Sequence, residues 1–171
     1  LIRFMVNAFI RPSDIKTLQH RHITVVRGTH CYLRLNLPET KRHDRPMVTL
    51  QAAVPVYERL LAWQKTLGFG SADDYVFLPE QRDRDQALES YGWQFQHIQS
   101  QSGVGANASN GQRRTLYSLR HTAITFRLLY GGRIDLLTLA RNARTSVEMI
   151  ERFYASNLNA EMNIDLLHRR R

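Results

Sequence analysis

Apolar residues recur along the chain in two rhythms, and the places where the rhythm changes divide it into elements. The opening run LIRFMVNAFI reads as the body of a helix, and NAFIRPSDIKTLQHRHI as helix, turn and a second helix starting at Pro12 or Ser13. HITVV and CYLRLNL have the character of strands, with Gly28 and Thr29 as the turn between them, and MVTL resumes that pattern after the charged tip PETKRHDRP. These runs predict a small antiparallel three-stranded sheet whose second loop carries Lys41. In PVYERLLAWQKTL, Pro55 to Leu67, the residues Val56, Leu60, Leu61 and Trp63 fall at helical spacing. YVFLP is a short buried strand or an extended link, and LESYGWQFQHIQSQ is helical from Leu88 to about Gln101. Trp63 and Trp93 sit on these amphipathic runs and are predicted to be core residues.

SGVGANASNGQRR reads as a Gly/Asn/Ser loop with a basic end. The last third is helix upon helix: SLRHTAITFRLLYGG stopped by Gly131 and Gly132, then RIDLLTLARNA, then TSVEMIERFYA with Thr145 or Ser146 as N-cap, then AEMNIDLLHRRR. No internal repeat or low-complexity tract is present. The predicted fold class is mainly α with a small antiparallel three-stranded β-sheet.

Composition narrows the partners. The 171 residues, 43% hydrophobic, suit one domain of ordinary size with a real core over 1–171. Lys and Arg number 24 against 15 Asp and Glu, a formal charge of +9, and such a field attracts polyanions, of which nucleic acid is the commonest. Charge alone does not separate DNA from RNA, from an acidic membrane leaflet or from mere solubility. Cys31 is the only cysteine, which excludes a disulfide within the chain and fits a reducing compartment. No apolar stretch is long enough to span a bilayer and the start lacks a signal-peptide layout, so a cytoplasmic, nucleoid-associated protein is expected. Because Leu1 already lies in the body of a helix, the chain is expected to be a fragment lacking an N-terminal part.

The candidate chemistry centres on Tyr154. Ile150 and Val147 lie four and seven residues before it, so its ring belongs to an apolar stripe, and that segment taken alone favours a core tyrosine. The wider pattern changes this. SLRHTAIT, a Gly-terminated helix, a further helix and ARTSVEMIERFY together resemble the C-terminal catalytic half of the tyrosine recombinases, the phage-type integrases. That family carries a Gly-x-Arg-x-x-Glu type segment near the start of its catalytic domain, and FIRPSD places Arg11 there with Asp14 at the acidic position. Its hairpin-tip lysine corresponds to Lys41 in ETKRHDRPMVTL, and its His-x-x-Arg to YSLR, giving Tyr117 and Arg120. Nine residues before the nucleophile, where the family usually has histidine, stands Thr145. The resemblance covers nearly the whole chain in the right order.

The resemblance implies site-specific cleavage and rejoining of double-stranded DNA at attachment sites through a 3′-phosphotyrosyl intermediate, without metal, ATP or other cofactor. Tyr154 is then the nucleophile, Arg11 and Arg120 the phosphate clamp, and Lys41 the acid that protonates the departing 5′ oxygen. Two forked guanidiniums suit two non-bridging oxygens, and an ammonium on a flexible stem can reach a leaving group. The resemblance also implies a homotetramer on DNA, with the tail beyond Tyr154 packing on a neighbouring protomer; packing in cis is the alternative.

Two positions depart from the family. Tyr117 replaces a histidine, and a neutral phenol donates a hydrogen bond but is a poor base near pH 7; it is either a site residue or a packed aromatic. Thr145 replaces another histidine and is either a phosphate contact or only a helix N-cap, while adjacent Arg144 offers a charged contact instead. Arg42 and Arg45 beside Lys41, and Arg113 and Arg114 in GQRR, are the candidate contacts to the DNA backbone. His121, next to Arg120, is expected to pack or hydrogen-bond behind the site. His20 and His22 in QHRHI lack a third ligand nearby and are read as solvated histidines, with no metal expected. The rival functions are a catalytically impaired DNA-binding accessory or regulatory protein on the same fold, motivated by Tyr117 and Thr145, and a type IB topoisomerase.

Overall fold

The structure, a computed structural model, describes residues 1–38, 46–108, 111–131 and 134–154. The chain divides into two compact units, Leu1–Ala123 and Ile124–Arg171, with the boundary inside one helix. Among the described residues no helix is long and apolar enough to cross a membrane.

Unit 1 opens with α1 (Ile2–Ala8), which buries Phe4, Met5 and Ala8 on one face. Phe9 ends it in the left-handed region at φ 57, a conformation normally left to glycine. The reversed chain then enters α2 (Pro12–Thr17) with Pro12 in the first turn, where its missing N–H is harmless and its φ is already helical. A 3-10 turn (His20–His22) leads into β1 (Ile23–Val26), β2 (Tyr32–Leu35) and β3 (Met47–Val48). These form the expected antiparallel sheet in the order β1-β2-β3, with Ile23 opposite Leu35, Val26 opposite Tyr32 and Leu35 opposite Met47. Leu33 and Leu35 face the core while Arg34 faces out, the alternation a half-buried strand requires.

The helix α3 (Ala53–Thr66) packs against α1 and β2, and α4 (Arg84–Gln101) packs against α2. Between them Val76 and Phe77 form a buried link, with the Phe77 ring edge-on to Phe4 at 5.4 Å between centroids. Arg84 holds this link. Its guanidinium and Nε donate to the carbonyls of Phe77 (2.7 Å), Gln81 (2.8 Å), Leu78 (2.9 Å) and Lys16 (3.0 Å), and it lies 4.0 Å over the Tyr75 ring. With Asp83 accepting from the Asp85 and Gln86 N–H groups as a side-chain cap, α4 begins four residues earlier than the apolar pattern predicts. The apolar pattern could not register a start made of Asp83 and Arg84.

Two core expectations fail. Trp63 is 57% exposed and Trp93 74% exposed. On α3 the buried positions include Ala53, Val54, Tyr57 and Gln64, so the inward stripe passes through Gln64 rather than its neighbour Trp63. The cause is His20, which is buried and not solvated as expected: its Nδ1 meets Tyr57 Oη at 3.0 Å and its Nε2 meets Gln64 Oε1 at 2.8 Å. Gln64 Nε2 donates to the carbonyls of Tyr75 and Val76, so Oε1 accepts from His20 Nε2–H and Tyr57 donates to Nδ1. Burial lowers the His20 pKa and pushes Tyr57 up to about 12. His22 is half-buried, its Nδ1 accepting from the Gln19 N–H at 3.1 Å. On α4 a narrow stripe of Ala87, Phe95 and Gln99 is buried and Trp93 points elsewhere.

The helix α5 (Leu116–Tyr130) contributes its first half to unit 1 and its second to unit 2. Unit 2 continues with α6 (Leu136–Asn142), capped by Asp135 through the Leu137 and Thr138 N–H groups, and α7 (Val147–Tyr154), which packs against α6. Leu139, Ala140, Ala143 and Ile150 are buried there. The expected closing helix AEMNIDLLHRRR lies outside the described residues.

Candidate active site

Within unit 1 the structure draws together two segments that are far apart in the chain. Arg120, on the second turn of α5, is 3% exposed, and its Nη1 donates to the carbonyl of Phe9 across 111 residues of sequence. Phe9 occupies the glycine position of the FIRPSD pattern, and its left-handed backbone is the turn that leads on to Arg11. Arg11 is the N-cap residue of α2, and its N–H donates to Asp14 Oδ2 at 2.7 Å. Asp14, buried, therefore fixes the backbone of Arg11 from inside the first turn of α2. One strained residue, one carboxylate and one guanidinium thus set where Arg11 stands relative to the segment that Arg120 grips.

Tyr117 lies one turn before Arg120 on α5 and is 43% exposed. Its ring stands against His121 with centroids 5.0 Å apart. Burial, and then the Arg120 guanidinium, hold the His121 pKa below the ordinary histidine value, so a neutral imidazole backs the phenol at pH 7. Tyr117 also lines a groove of about 420 Å³ with Pro12, Leu88 and Leu116, whose rim carries Asp85 and Glu89. Asp85 is paired to Lys16.

Arg113 is exposed just before α5, whereas Arg114 is half-buried and donates to the carbonyls of Gly105 (2.5 Å) and Asn107, so it is a structural staple in this structure. Lys41, Arg42 and Arg45 lie outside the described residues. In unit 2 Tyr154 is 5% exposed at the end of α7, its ring buried as the stripe through Ile150 requires. The N-cap of that helix is Ser146, whose Oγ accepts from the Met149 N–H at 3.1 Å; Thr145 is not the capping side chain. The Thr145 N–H donates to the Ala140 carbonyl at 2.9 Å. Arg144, expected as a DNA contact, is 3% exposed with its backbone at φ 52. Among the described residues no group of three His, Cys, Asp or Glu side chains is arranged to hold a metal ion.

The sequence pattern gave no sign of the Phe9 carbonyl as the partner of Arg120, because a backbone acceptor leaves no residue signature. The one available signal was a bulky residue at a position the resembled pattern gives to glycine.

No protein-family model matches the sequence, and no curated protein matches it. Among solved structures the chain is similar to XerA recombinase, at 17% identity and a TM-score of 0.64 over 99% of this chain and 55% of that one. It is also similar to the Tn1549 transposon integrase in complex with transposon right end DNA, at 16% identity and a TM-score of 0.56 over 97% of this chain and 56% of that one. The chain therefore spans just over half the length of these two structures. Its fold, mainly helical with a small three-stranded antiparallel sheet, is that of a tyrosine-recombinase-like catalytic domain.

Proposed function

We propose that the chain is the DNA-cleaving domain of a tyrosine-type site-specific recombinase or integrase of a mobile element. The observation that carries this reading is the Arg120 to Phe9 bond, which brings the Arg11 turn and Arg120 into one neighbourhood of unit 1. Two arginines within reach of one phosphate neutralise both non-bridging oxygens as charge redistributes in an in-line displacement.

In the proposed step the Tyr154 Oη attacks the phosphorus, the P–O5′ bond breaks, the phenol proton passes to water and the 5′ oxygen takes a proton from Lys41. The 3′-phosphotyrosyl ester keeps the bond energy, so a second 5′ hydroxyl reverses the reaction with no ATP and no metal. Tyr117 and Thr145 donate hydrogen bonds to the phosphate in place of the histidines usual at those positions, Asp14 holds Arg11, and His121 holds Tyr117. Arg42, Arg45 and Arg113 contact the DNA. Because Tyr154 is buried, attack requires α7 to release the ring when DNA is bound. The assembly is a homotetramer on attachment sites, with the tail after Tyr154 packing in trans, and its place is the cytoplasm at the nucleoid.

The second reading, a DNA-binding accessory protein that has lost cleavage, is favoured by the exposed phenol of Tyr117, a poor proton acceptor where a histidine is usual. Incubating the full-length protein with nicked duplexes, in EDTA and without nucleotide, separates the two. A covalent adduct supports the recombinase; binding with no adduct on any trapping substrate supports the accessory protein.

A further inference from the structure

The groove beside Tyr117 carries features that the fold itself does not use. Its apolar walls include Pro12, Leu88 and Leu116, and its volume of about 420 Å³ lies in the range of ligand-binding pockets, roughly 300–1,000 Å³. Gly92 lines it from the middle of α4, although glycine is the poorest former of a helix interior after proline. A Cβ there would meet nothing within 4 Å, so packing inside the protein does not call for a glycine. Its effect is to leave the groove open down to the helix backbone, as close approach by an occupant requires.

The rim is acidic in a chain whose formal charge is +9. Asp85 and Glu89 stand one turn apart on α4; Asp85 is paired to Lys16, and Glu89 has no ion pair among the described residues. One turn beyond Glu89 is Trp93, expected in the core and found 74% exposed. Residues four apart on a helix are neighbours, so the carboxylate and the indole stand side by side at the edge of the groove. A carboxylate attracts a cation and an indole face binds one, whereas the same carboxylate repels the phosphates of DNA.

We propose that this groove docks a peptide segment of a partner protein, with an apolar side chain seated over Gly92 against Leu88 and Leu116 and an adjoining arginine or lysine held by Glu89 and Trp93. The walls select the apolar anchor and the edge selects the charge beside it. The occupant meets Tyr117, whose ring lines the same groove one turn before Arg120. The inference stands apart from the reading of the chain as a DNA-cleaving domain, because the acidic edge does not suit DNA.

The test is fluorescence anisotropy of the full-length protein with three labelled peptides, Leu-Leu-Arg-Arg, Leu-Leu-Glu-Glu and Ser-Ser-Arg-Arg. The first is expected to bind about tenfold tighter than either of the others. Gly92→Leu fills the groove and is expected to abolish that binding with a urea midpoint no lower than the parent's. Glu89→Lys and Trp93→Ala, both at exposed positions, are each expected to weaken it about tenfold. Equal affinity for the three peptides, no binding by the parent, or binding unchanged in any of these variants would overturn the proposal. So would binding that appears only in the triple variant Arg169→Ala, Arg170→Ala, Arg171→Ala, which would give the groove to the chain's own closing residues.

Discussion

Arg120 has two tasks in this account. Its buried guanidinium satisfies the carbonyl of Phe9 and, in the proposed reaction, holds a phosphate oxygen. Lysine keeps the charge and N–H donors but not the planar fork. Arg120→Lys is therefore expected to lower cleavage by roughly a hundredfold or more while shifting stability by only about 1 kcal/mol, as followed by adduct formation and urea unfolding. Wild-type cleavage by this variant would remove Arg120 from the clamp. Phe9 sets two effects against each other. Phe9→Gly relieves a left-handed backbone worth about 1–2 kcal/mol, but it deletes a buried ring whose loss is worth about 3–5 kcal/mol. The ring wins, so the variant should be less stable by about 2 kcal/mol; an increase in the urea midpoint would show that strain dominates.

The elements are held by polar details at their ends as much as by their apolar faces. Ser146 caps α7, so Ser146→Ala should destabilise by about 1 kcal/mol and Thr145→Ala should not, measured by thermal unfolding without DNA. Equal losses would return Thr145 to a capping role. The His20 clamp gives α3 a pH dependence. Its folded pKa is lowered by burial, so the unfolded chain binds the extra proton, and the clamp's stabilisation is present above about pH 6.5 and lost as pH falls through the folded value. His22 and His121 are lowered too. The urea midpoint should drop on going from pH 7.5 to 5.5, and drop less in His20→Gln; a midpoint that rises on acidification would contradict the buried neutral clamp. The same details mark the limit of what the sequence discloses. Among the described residues, the helices, the three strands and their order were legible because apolar periodicity reports a buried face. Trp63 was misplaced because periodicity cannot show that a glutamine is held inward by a histidine 44 residues away. The antiparallel bridge between Asn107 and Arg113 was hidden in a segment that reads as an open Gly/Asn/Ser loop, because it rests on backbone bonds and the Arg114 staple rather than on alternating side chains.

At the scale of the whole chain, the formal charge of +9 gives a field that attracts polyanions, and the proposed function assigns that field to duplex DNA. The Arg11 turn, Tyr117 and Arg120 belong to unit 1, and Tyr154 belongs to unit 2. The order of their segments in the sequence made Arg11, Arg120 and Tyr154 the candidates of the proposed site, whereas the bond from the Arg11 N–H to Asp14 and that from Arg120 to the Phe9 carbonyl needed coordinates. The central claim is that Tyr154 is the nucleophile. The measurement that tests it is a denaturing gel of the full-length protein with DNA flanking its own gene, presented as nicked duplexes, comparing the parent with Tyr154→Phe. The account predicts a covalent protein–DNA adduct with the parent and none with the variant, at equal DNA binding. An adduct that persists without the phenol, or a parent that binds and never forms one, would contradict it.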